Sequence, residues 1–231
     1  MTRAWSVLER VETGDATLEL RRRGERDFLI LVDGRVLMNS AAHRSEQQLA
    51  SEACAALHAH PCPRVLIGGL GMGFTLRAAL DALPTSARVR VAELHACVVA
   101  WCKGTLAPLT RDAASDPRVE IEIGDVAREI RRAAAAGGSE RFDAIVLDLY
   151  TGPGAVAGGA EPCFEAAMLA ATHAALAPGG VYAVWSERAD AAFERRLRAA
   201  GFEAARSRSG RGGLRHVIYT AQRARHGDSG A

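Results

Sequence analysis

Hydrophobic and polar residues partly alternate along the first part of the chain, a spacing typical of short strands with one buried face. Small and polar turn residues separate the alternating segments, and Asp33-Gly34 is a typical hairpin turn. The pattern predicts four strands, over residues 5–11, 16–21, 27–32 and 35–38. We therefore expect the chain to begin with a small β-rich unit.

The hydrophobic period changes at Ser45, because apolar residues up to His58 recur at helical spacing. Ser45 is a suitable N-cap for this helix, and Pro61-Cys62-Pro63 interrupts the pattern after it. We place a domain boundary at these prolines. The expected organisation is a β-rich domain with a linking helix at 1–60, a second domain at 61–222 and a flexible tail at 223–231.

After the boundary, apolar segments of strand length alternate with helical segments. The predicted strands cover residues 64–67, 88–92, 119–123, 144–147, 181–186 and 216–221. The predicted helices cover residues 74–83, 96–106, 126–135, 161–176 and 191–200. Nearly continuous apolar strands that alternate with helices are typical of a parallel sheet with helices on both faces. The second domain is therefore predicted to have a Rossmann-like α/β fold.

Composition and charge narrow the choice of partners. The chain is 48% hydrophobic and 24% charged, with a formal net charge of +2, so no broad basic surface is available for nucleic acid or an anionic membrane. No apolar run approaches the roughly 20 residues of a membrane-spanning helix. The amino terminus lacks the apolar segment of a signal peptide. We expect a cytoplasmic protein that acts on a small molecule, without nucleic acid or membrane as partner.

Ligands of such sheets bind beyond the carboxyl ends of the strands, so the residues directly after each strand are informative. A glycine loop, residues 68–73 with the sequence Gly-Gly-Leu-Gly-Met-Gly, follows the first strand of the second domain and leads into a helix. Gly69, Gly71 and Gly73 allow the backbone to approach a ligand and leave the helix N-terminus facing it. A loop of this kind also occurs for packing alone, and both interpretations stay open.

The next two strands end in carboxylates. Glu93 lies 20 residues after Gly73, the usual place for a carboxylate that accepts hydrogen bonds from both hydroxyls of a ribose, although a solvated charge is the alternative. Gly124-Asp125 ends the third strand, where Asp125 can accept from an exocyclic amine such as that of adenine, cap the following helix, or do both. With the adjacent Leu94 and Val126, these residues form the candidate nucleoside site.

The fourth strand ends at Asp148, before a loop that contains Tyr150, Thr151 and Gly152-Pro153. A carboxylate at the tip of a central strand, above a Gly/Pro loop, is poorly explained by packing. Asp148 is therefore the main catalytic candidate, as a group that orients or deprotonates an acceptor. Tyr150 is the second, because it offers a hydroxyl or a ring face to a cation.

Several enzyme classes are excluded by missing motifs. The chain has no phosphate-binding loop with its lysine and no G-x-S-x-G nucleophile turn. It also has no H-E-x-x-H pair and no Cys/His spacing typical of a metal site. We therefore expect neither nucleoside triphosphate hydrolysis nor a bound metal.

Together these features resemble the spermidine synthase (polyamine aminopropyltransferase) family, a branch of the class I S-adenosylmethionine-dependent transferases. The resemblance extends from about Asp33 to Glu187. It is carried by Val-Leu-Ile-Gly-Gly at 65–69, Thr-Leu-Arg at 75–77, Asp-Pro-Arg-Val-Glu at 116–120, Ile-Gly-Asp at 123–125, Phe-Asp-Ala-Ile-Val-Leu-Asp at 142–148 and Leu-Ala-Pro-Gly-Gly-Val at 176–181.

The resemblance implies a class I methyltransferase fold behind a small N-terminal β-domain, and S-adenosylmethionine or its decarboxylated form as cosubstrate. It implies that Glu93 binds the ribose, that Asp125 binds the adenine amine, with Met72 among the residues of the donor site, and that Asp148 lies beside the reacting centre. A homodimer is also implied. By the same resemblance, the acceptor site contains His43, Glu46, Gln47 and Thr151.

Two positions depart from the family pattern. Members that transfer aminopropyl groups carry an Asp where this chain has Met72 and another where it has Thr151. An Asp at position 72 would repel the carboxylate of intact S-adenosylmethionine, and Met72 removes that repulsion. The leading hypothesis is therefore a methyltransferase that acts on a small-molecule acceptor. Transfer of the amino-carboxypropyl group uses the same donor.

Two alternatives remain. One is a true aminopropyltransferase with altered acceptor recognition, in which Glu46 or Glu187 supplies the missing carboxylate from elsewhere in the fold. The other is a non-catalytic nucleoside-binding protein. Three strand-end carboxylates argue against the second, because a scaffold gains little from them.

Overall fold

The small N-terminal sheet is antiparallel and has four strands in chain order. In the computed structural model, which describes residues 4–150, 152–153, 162–209 and 216–225, these strands are β1 (Ser6–Glu12), β2 (Thr17–Arg23), β3 (Asp27–Val32) and β4 (Arg35–Asn39). Asp33 and Gly34 both have positive φ, at 49° and 75°, as a two-residue hairpin turn requires. The predicted β-rich unit is confirmed.

The second sheet has seven strands and is mostly parallel. Its strands are β5 (Arg64–Gly68), β6 (Arg88–Glu93), β7 (Val119–Ile123), β8 (Phe142–Leu147), β9 (Leu176–Ser186), β10 (Phe202–Arg208) and β11 (Val217–Arg223). They lie in the order β10-β11-β9-β8-β5-β6-β7, and only β10 and β11 pair antiparallel with their neighbours. From β5 the chain proceeds to β6 on one side and later to β8 on the other, so the topological switch point lies between β5 and β8.

Helices cover both faces of the second sheet. They are α1 (Arg44–Cys54), α2 (Phe74–Ala82), α3 (Ala96–Lys103), α4 (Val126–Ala136), α5 (Ala166–Ala175) and α6 (Ala191–Ala199). Val65 and Ile67 of β5 pack with α1, α2 and α3, whereas Leu66 packs with α4, α5 and α6. Successive side chains of a strand point to opposite faces, so a wholly apolar strand needs cover on both. This arrangement confirms the predicted Rossmann-like fold.

The small sheet and α1 pack against the larger sheet. Leu18 and Ile30 of the small sheet share one buried cluster with Leu49 of α1 and Ile67 of β5. The indole Nε1 of Trp101 in α3 also donates a hydrogen bond of 2.7 Å to a Glu9 carboxylate oxygen in β1. The sequence pattern groups helix α1 with the β-rich unit. In the structure, however, α1 shares a hydrophobic core with the second sheet.

The carboxyl-terminal part differs from the prediction in four places, and the first is that β9 begins at Leu176 instead of residue 181. Strand β10 was not predicted, because only Phe202 among its seven residues is buried and its arginines suggested a solvated charge run. Helix α5 begins at Ala166, after the predicted start, which lies outside the described residues. Strand β11 extends to Arg223, whose guanidinium donates to the carbonyls of His173, Ala174 and Leu176, so this residue does not belong to a tail.

Among the residues that the structure describes, none of the helices combines the length and the apolar composition needed to cross a bilayer.

Candidate functional site

A cavity of about 470 Å³ opens at the carboxyl ends of the parallel strands, next to the small sheet. Its volume falls within the roughly 300–1,000 Å³ of small-molecule sites. Gly69 after β5, Glu93 at the end of β6, Asp125 after β7 and Asp148 after β8 all line it. The fold thus brings the predicted strand-end residues together at the switch point, because parallel strands present their carboxyl ends at one edge of the sheet.

Gly69 is required where the chain leaves β5 close to the end of the neighbouring parallel strand β8. Its φ is +86°, and a Cβ at this position would lie 2.4 Å from the backbone carbonyl oxygen of Asp148. Only glycine tolerates both the conformation and the contact. The amide of Asp148 donates to the carbonyl of Gly68, which ties β8 to the glycine loop. Packing alone therefore explains Gly69, and the same packing places the loop beside Asp148.

The rest of the glycine loop packs against the small sheet. Gly71 lies against Met38 of β4, whose Sδ would be 2.3 Å from a Cβ at position 71. The amide of Met72 donates to the same sulfur. Gly73 adopts the left-handed conformation before α2, with a φ of +82°. The side chain of Met72 is fully buried in the hydrophobic core and does not line the cavity, contrary to the assumption that this position sets the charge of the site.

Glu93 is buried, with 7% of its surface exposed, which excludes the solvated-charge interpretation. One carboxylate oxygen accepts a hydrogen bond of 2.8 Å from the amide of Leu70, and the other accepts one of 3.0 Å from the amide of His95. The carboxylate therefore connects the glycine loop to the start of α3. Each oxygen has a second lone pair for a ligand hydroxyl.

We predict that Glu93→Ala weakens the binding of methylthioadenosine by about 1–3 kcal/mol, the scale of hydrogen bonds lost from a charged group. Calorimetric titration measures the change, and thermal unfolding establishes that the variant is folded. Glu122→Ala is the matched control, because Glu122 is an exposed glutamate on the neighbouring strand β7. Unchanged affinity in folded Glu93→Ala would remove the ribose assignment.

Asp125 serves as a helix cap and also lines the cavity. Its Oδ1 accepts a hydrogen bond of 2.8 Å from the amide of Ala127, so it is the N-cap of α4. Gly124, Val126 and the exposed Leu94 line the same part of the cavity. The capping interpretation is confirmed, and the contact with adenine stays a prediction that the position of Asp125 allows.

Asp148 combines burial with a neighbouring negative charge. Its Oδ2 accepts a hydrogen bond of 2.5 Å from the hydroxyl of Thr75 in α2. Burial, reinforced by the charge of Glu46, raises the pKa of Asp148 to about 7, against the smaller opposing effect of the Thr75 hydrogen bond. A carboxyl group with this pKa can take up and release a proton near neutral pH.

The predicted acceptor residues divide into two groups. Glu46 is buried in α1 and lines the cavity, and Tyr150 lies at its rim with 47% of its surface exposed. His43 stacks on Phe74, with ring centroids 4.2 Å apart, and does not line the cavity. Gln47 is exposed on the outer side of α1. Thr151 lies outside the described residues.

Several residues that line the cavity were not predicted from the sequence. Asp15 and Asp33 come from turns of the small sheet, and Trp185 comes from β9. Asp15 and Asp33 precede no helix and end no parallel strand, so nothing in their local sequence marks them. Only the packing of the small sheet against the larger one brings them to the cavity.

The cavity is strongly acidic. Among its described lining residues there are seven carboxylates and neither an arginine nor a lysine. The carboxylates are Asp15, Asp33, Glu46, Glu93, Asp125, Asp148 and Glu187. The whole chain carries a net charge of +2, so this acidity is local. Within the described ranges, no group of three His, Cys, Asp or Glu side chains is arranged to hold a metal ion. The negative charge of the lining suits a cationic ligand.

The chain resembles known proteins in sequence and in structure. The spermine/spermidine synthase domain matches residues 51–194. A polyamine aminopropyltransferase from Nitrosomonas europaea is 36% identical over 124 residues, which cover 54% of this chain but only 35% of that relative. The crystal structure of spermidine synthase from Thermotoga maritima superposes with a TM-score of 0.74 at 20% identity, over 94% of this chain and 73% of the other.

A spermidine synthase crystallised with the transition-state analogue AdoDATO superposes with a TM-score of 0.72, also at 20% identity, over 94% of this chain and 72% of the other. Fold and site together define a Rossmann-like α/β protein with an acidic ligand cavity at the switch point of its sheet. The chain belongs to the spermine/spermidine synthase family.

Proposed function

We propose that the protein is an aminopropyltransferase that uses decarboxylated S-adenosylmethionine as donor and a small amine as acceptor. The observation that carries the proposal is the lining of the cavity, which contains seven carboxylates and no arginine or lysine among the described residues. A decarboxylated donor has a sulfonium and an ammonium but no carboxylate, and a polyamine acceptor is also cationic. Both match the charge of the site.

The names of the relatives point the same way and do not support the methyltransferase hypothesis. That hypothesis rested on two missing charges, one at Met72, whose side chain lies in the core, and one at Thr151, which lies outside the described residues. The charge of the cavity comes instead from other elements, including Glu46 of α1 and Glu187 after β9. The absence of an Asp at position 72 therefore says little about the preferred donor.

The residues of the cavity fit such a donor. In this proposal Glu93 accepts hydrogen bonds from the ribose hydroxyls and Asp125 accepts one from the adenine amine, which is supported by the position of both residues in the cavity lining. When bound, the donor supplies an electrophilic carbon next to its sulfonium. Asp148 and Glu46 lie close enough together for the charge of Glu46 to act on Asp148, and in this proposal the acceptor amine binds beside them.

Asp148 is proposed as the proton acceptor. An acceptor nitrogen must be neutral to form the new carbon–nitrogen bond while the carbon–sulfur bond breaks and methylthioadenosine leaves. The proton released from that nitrogen passes to the Asp148 carboxylate. Its pKa of about 7 places the group near the working pH, where a general base is most effective. The rest of the rate enhancement in this proposal comes from positioning the donor and the acceptor for reaction.

Donor preference tests the proposal. At an effective dielectric constant of about 20, two carboxylates about 10 Å apart repel each other by about 1–2 kcal/mol, so the acidic lining disfavours the carboxylate of intact S-adenosylmethionine. We therefore predict that the decarboxylated donor binds at least about tenfold more tightly than S-adenosylmethionine. Calorimetric titration with both donors, and with methylthioadenosine as the uncharged reference, measures this preference.

The matched variants are Glu46→Gln and Glu122→Gln. The first removes a buried cavity charge without changing shape and should reduce the preference, whereas the second removes an exposed charge on β7 and should leave it unchanged. Turnover is then assayed as methylthioadenosine release with putrescine and related amines. Tighter binding of S-adenosylmethionine together with methyl transfer would restore the methyltransferase hypothesis. Binding without turnover of any amine would favour a non-catalytic protein.

A further inference from the structure

A pair of side chains, Ser45 and His216, lies behind Glu46 on the acceptor side of the cavity. The hydroxyl of Ser45 is 2.6 Å from a carboxylate oxygen of Glu46 and 3.1 Å from Nδ1 of His216. Ser45 is buried in α1, and His216 directly precedes β11, 171 residues further along the chain. Glu46 lines the cavity, whereas Ser45 and His216 are not among its lining residues.

The protons available on the three side chains fix which group donates in each of these two hydrogen bonds. A carboxylate has no proton to donate, so the single hydroxyl proton of Ser45 points to Glu46. Ser45 must then accept from His216, and Nδ1 of the imidazole carries a proton. His216 therefore donates to the Ser45 hydroxyl, and Ser45 donates to the Glu46 carboxylate. Charge-assisted bonds of this kind are the stronger and more directional ones in proteins.

His216 also contacts a second wall of the cavity. Its ring packs edge-on against the indole of Trp185, with centroids 4.7 Å apart and an interplanar angle of 63°. Trp185 lines the cavity from β9. One residue outside the cavity therefore supports two lining residues, a carboxylate and an aromatic ring, that come from opposite ends of the chain.

We propose that His216 is a positioning residue that acts through Ser45 to hold the Glu46 carboxylate toward the cavity, where it binds an ammonium group of the acceptor. This inference rests on the proposed function. It also gives two neighbouring carboxyl groups different roles, because the Ser45 hydroxyl that donates to Glu46 is itself held by His216, whereas no such second partner is seen for the Thr75 hydroxyl that donates to Asp148 among the described residues. Glu46 remains the binding anion, and Asp148 takes the proton.

Three variants separate the hydrogen bond from the ring contact. His216→Phe keeps a ring against Trp185 and removes the donor. His216→Asn removes the ring and retains an amide N–H near the position of Nδ1. Ser45→Ala removes the connecting hydroxyl and is the smallest change, so it tests the same link if His216→Phe does not fold.

With putrescine as acceptor, we expect His216→Phe and Ser45→Ala to raise the KM of the amine about tenfold, the scale of a lost hydrogen bond to a charged group. The KM of the decarboxylated donor should stay within about twofold, and His216→Asn should recover most of the loss. In a Glu46→Gln background, His216→Phe should have no further effect, because the two residues act as one unit. A merely structural role would lower kcat and raise the KM values of the donor and of the amine together.

The tautomer of His216 provides a measurement that needs no substrate. Nitrogen-15 NMR of labelled protein at pH 8 should show a protonated Nδ1 and an unprotonated Nε2 on this ring. The opposite tautomer would overturn the inference whatever the activity. If the wild-type protein transfers no aminopropyl group, the proposed function fails and the tautomer alone decides the positioning role. If transfer occurs but both variants keep the wild-type amine KM, the inference fails and the proposed function stands.

Discussion

Replacement of Asp148 by Asn is expected to slow group transfer by about 10²–10⁴-fold, the range attributed to a positioned general base. Asparagine keeps the shape of the side chain and can still accept the hydrogen bond from Thr75, but it cannot take a proton. Turnover should therefore fall far more than donor affinity does. The wild-type rate should rise with pH through about 7, as the carboxyl group loses its proton, whereas the residual rate of the variant should lack this step.

The same substitution is expected to stabilise the fold at high pH. The pKa of Asp148 is raised from 3.8 to about 7 in the folded protein, so between these values the folded state binds a proton that the unfolded state releases. Wild-type stability therefore falls as pH rises through this window. Asp148→Asn removes the free-energy cost of ionising this carboxyl group in the folded protein. The unfolding free energy of the variant, relative to that of the wild type, should therefore increase by about 2–4 kcal/mol between pH 4 and pH 8.

Denaturant unfolding at the two pH values and initial-rate assays across the pH range measure both effects. Asp81→Asn is the matched control, because Asp81 forms exposed ion pairs with Arg77 and Arg111 far from the cavity. It should change stability by less than about 1 kcal/mol and leave turnover unaffected. A wild-type rate in Asp148→Asn, with a known acceptor, would make Asp148 structural.

Gly69→Ala is expected to have the second large effect, a loss of about 3 kcal/mol of folding free energy together with most of the donor affinity. A methyl group at this position would lie 2.4 Å from the carbonyl oxygen of Asp148 and would force an alanine into a φ of +86°. The backbone is the obstacle, so no side-chain rotation relieves it. The displaced glycine loop would also lose the bond between Leu70 and Glu93.

Gly14→Ala provides the comparison, because a Cβ at position 14 meets no atom within 4 Å and the backbone there has no positive φ. It should change stability by less than about 0.5 kcal/mol. Thermal and denaturant unfolding report stability, and titration with methylthioadenosine reports donor affinity. Equal behaviour of the two variants would show that the contact between the glycine loop and the end of β8 tolerates movement.

The elements of the second domain follow from local sequence. Strands β5 and β8 are short, nearly continuous apolar runs bounded by turns, whereas β6 and β7 are recognisable because apolar and charged residues alternate in them at the period of a strand. Strand β10 is the exception. It is an edge strand with a largely exposed, charged surface, so its alternation carries no hydrophobic signal and only pairing with β11 shows it as a strand.

The sequence by itself determined the Rossmann-like order of elements, because hydrophobic periodicity is a local property of the chain. It also determined which carboxylates follow the strands, and these meet in space because parallel strands end at the same edge of the sheet. Only the tertiary structure decided the charge of the cavity. Met72 turns into the core, whereas Asp33, Glu46 and Glu187 reach the site from three separate elements. Which way a loop side chain points depends on what packs against it, here Met38 from the small sheet, and no spacing within the glycine loop encodes that contact.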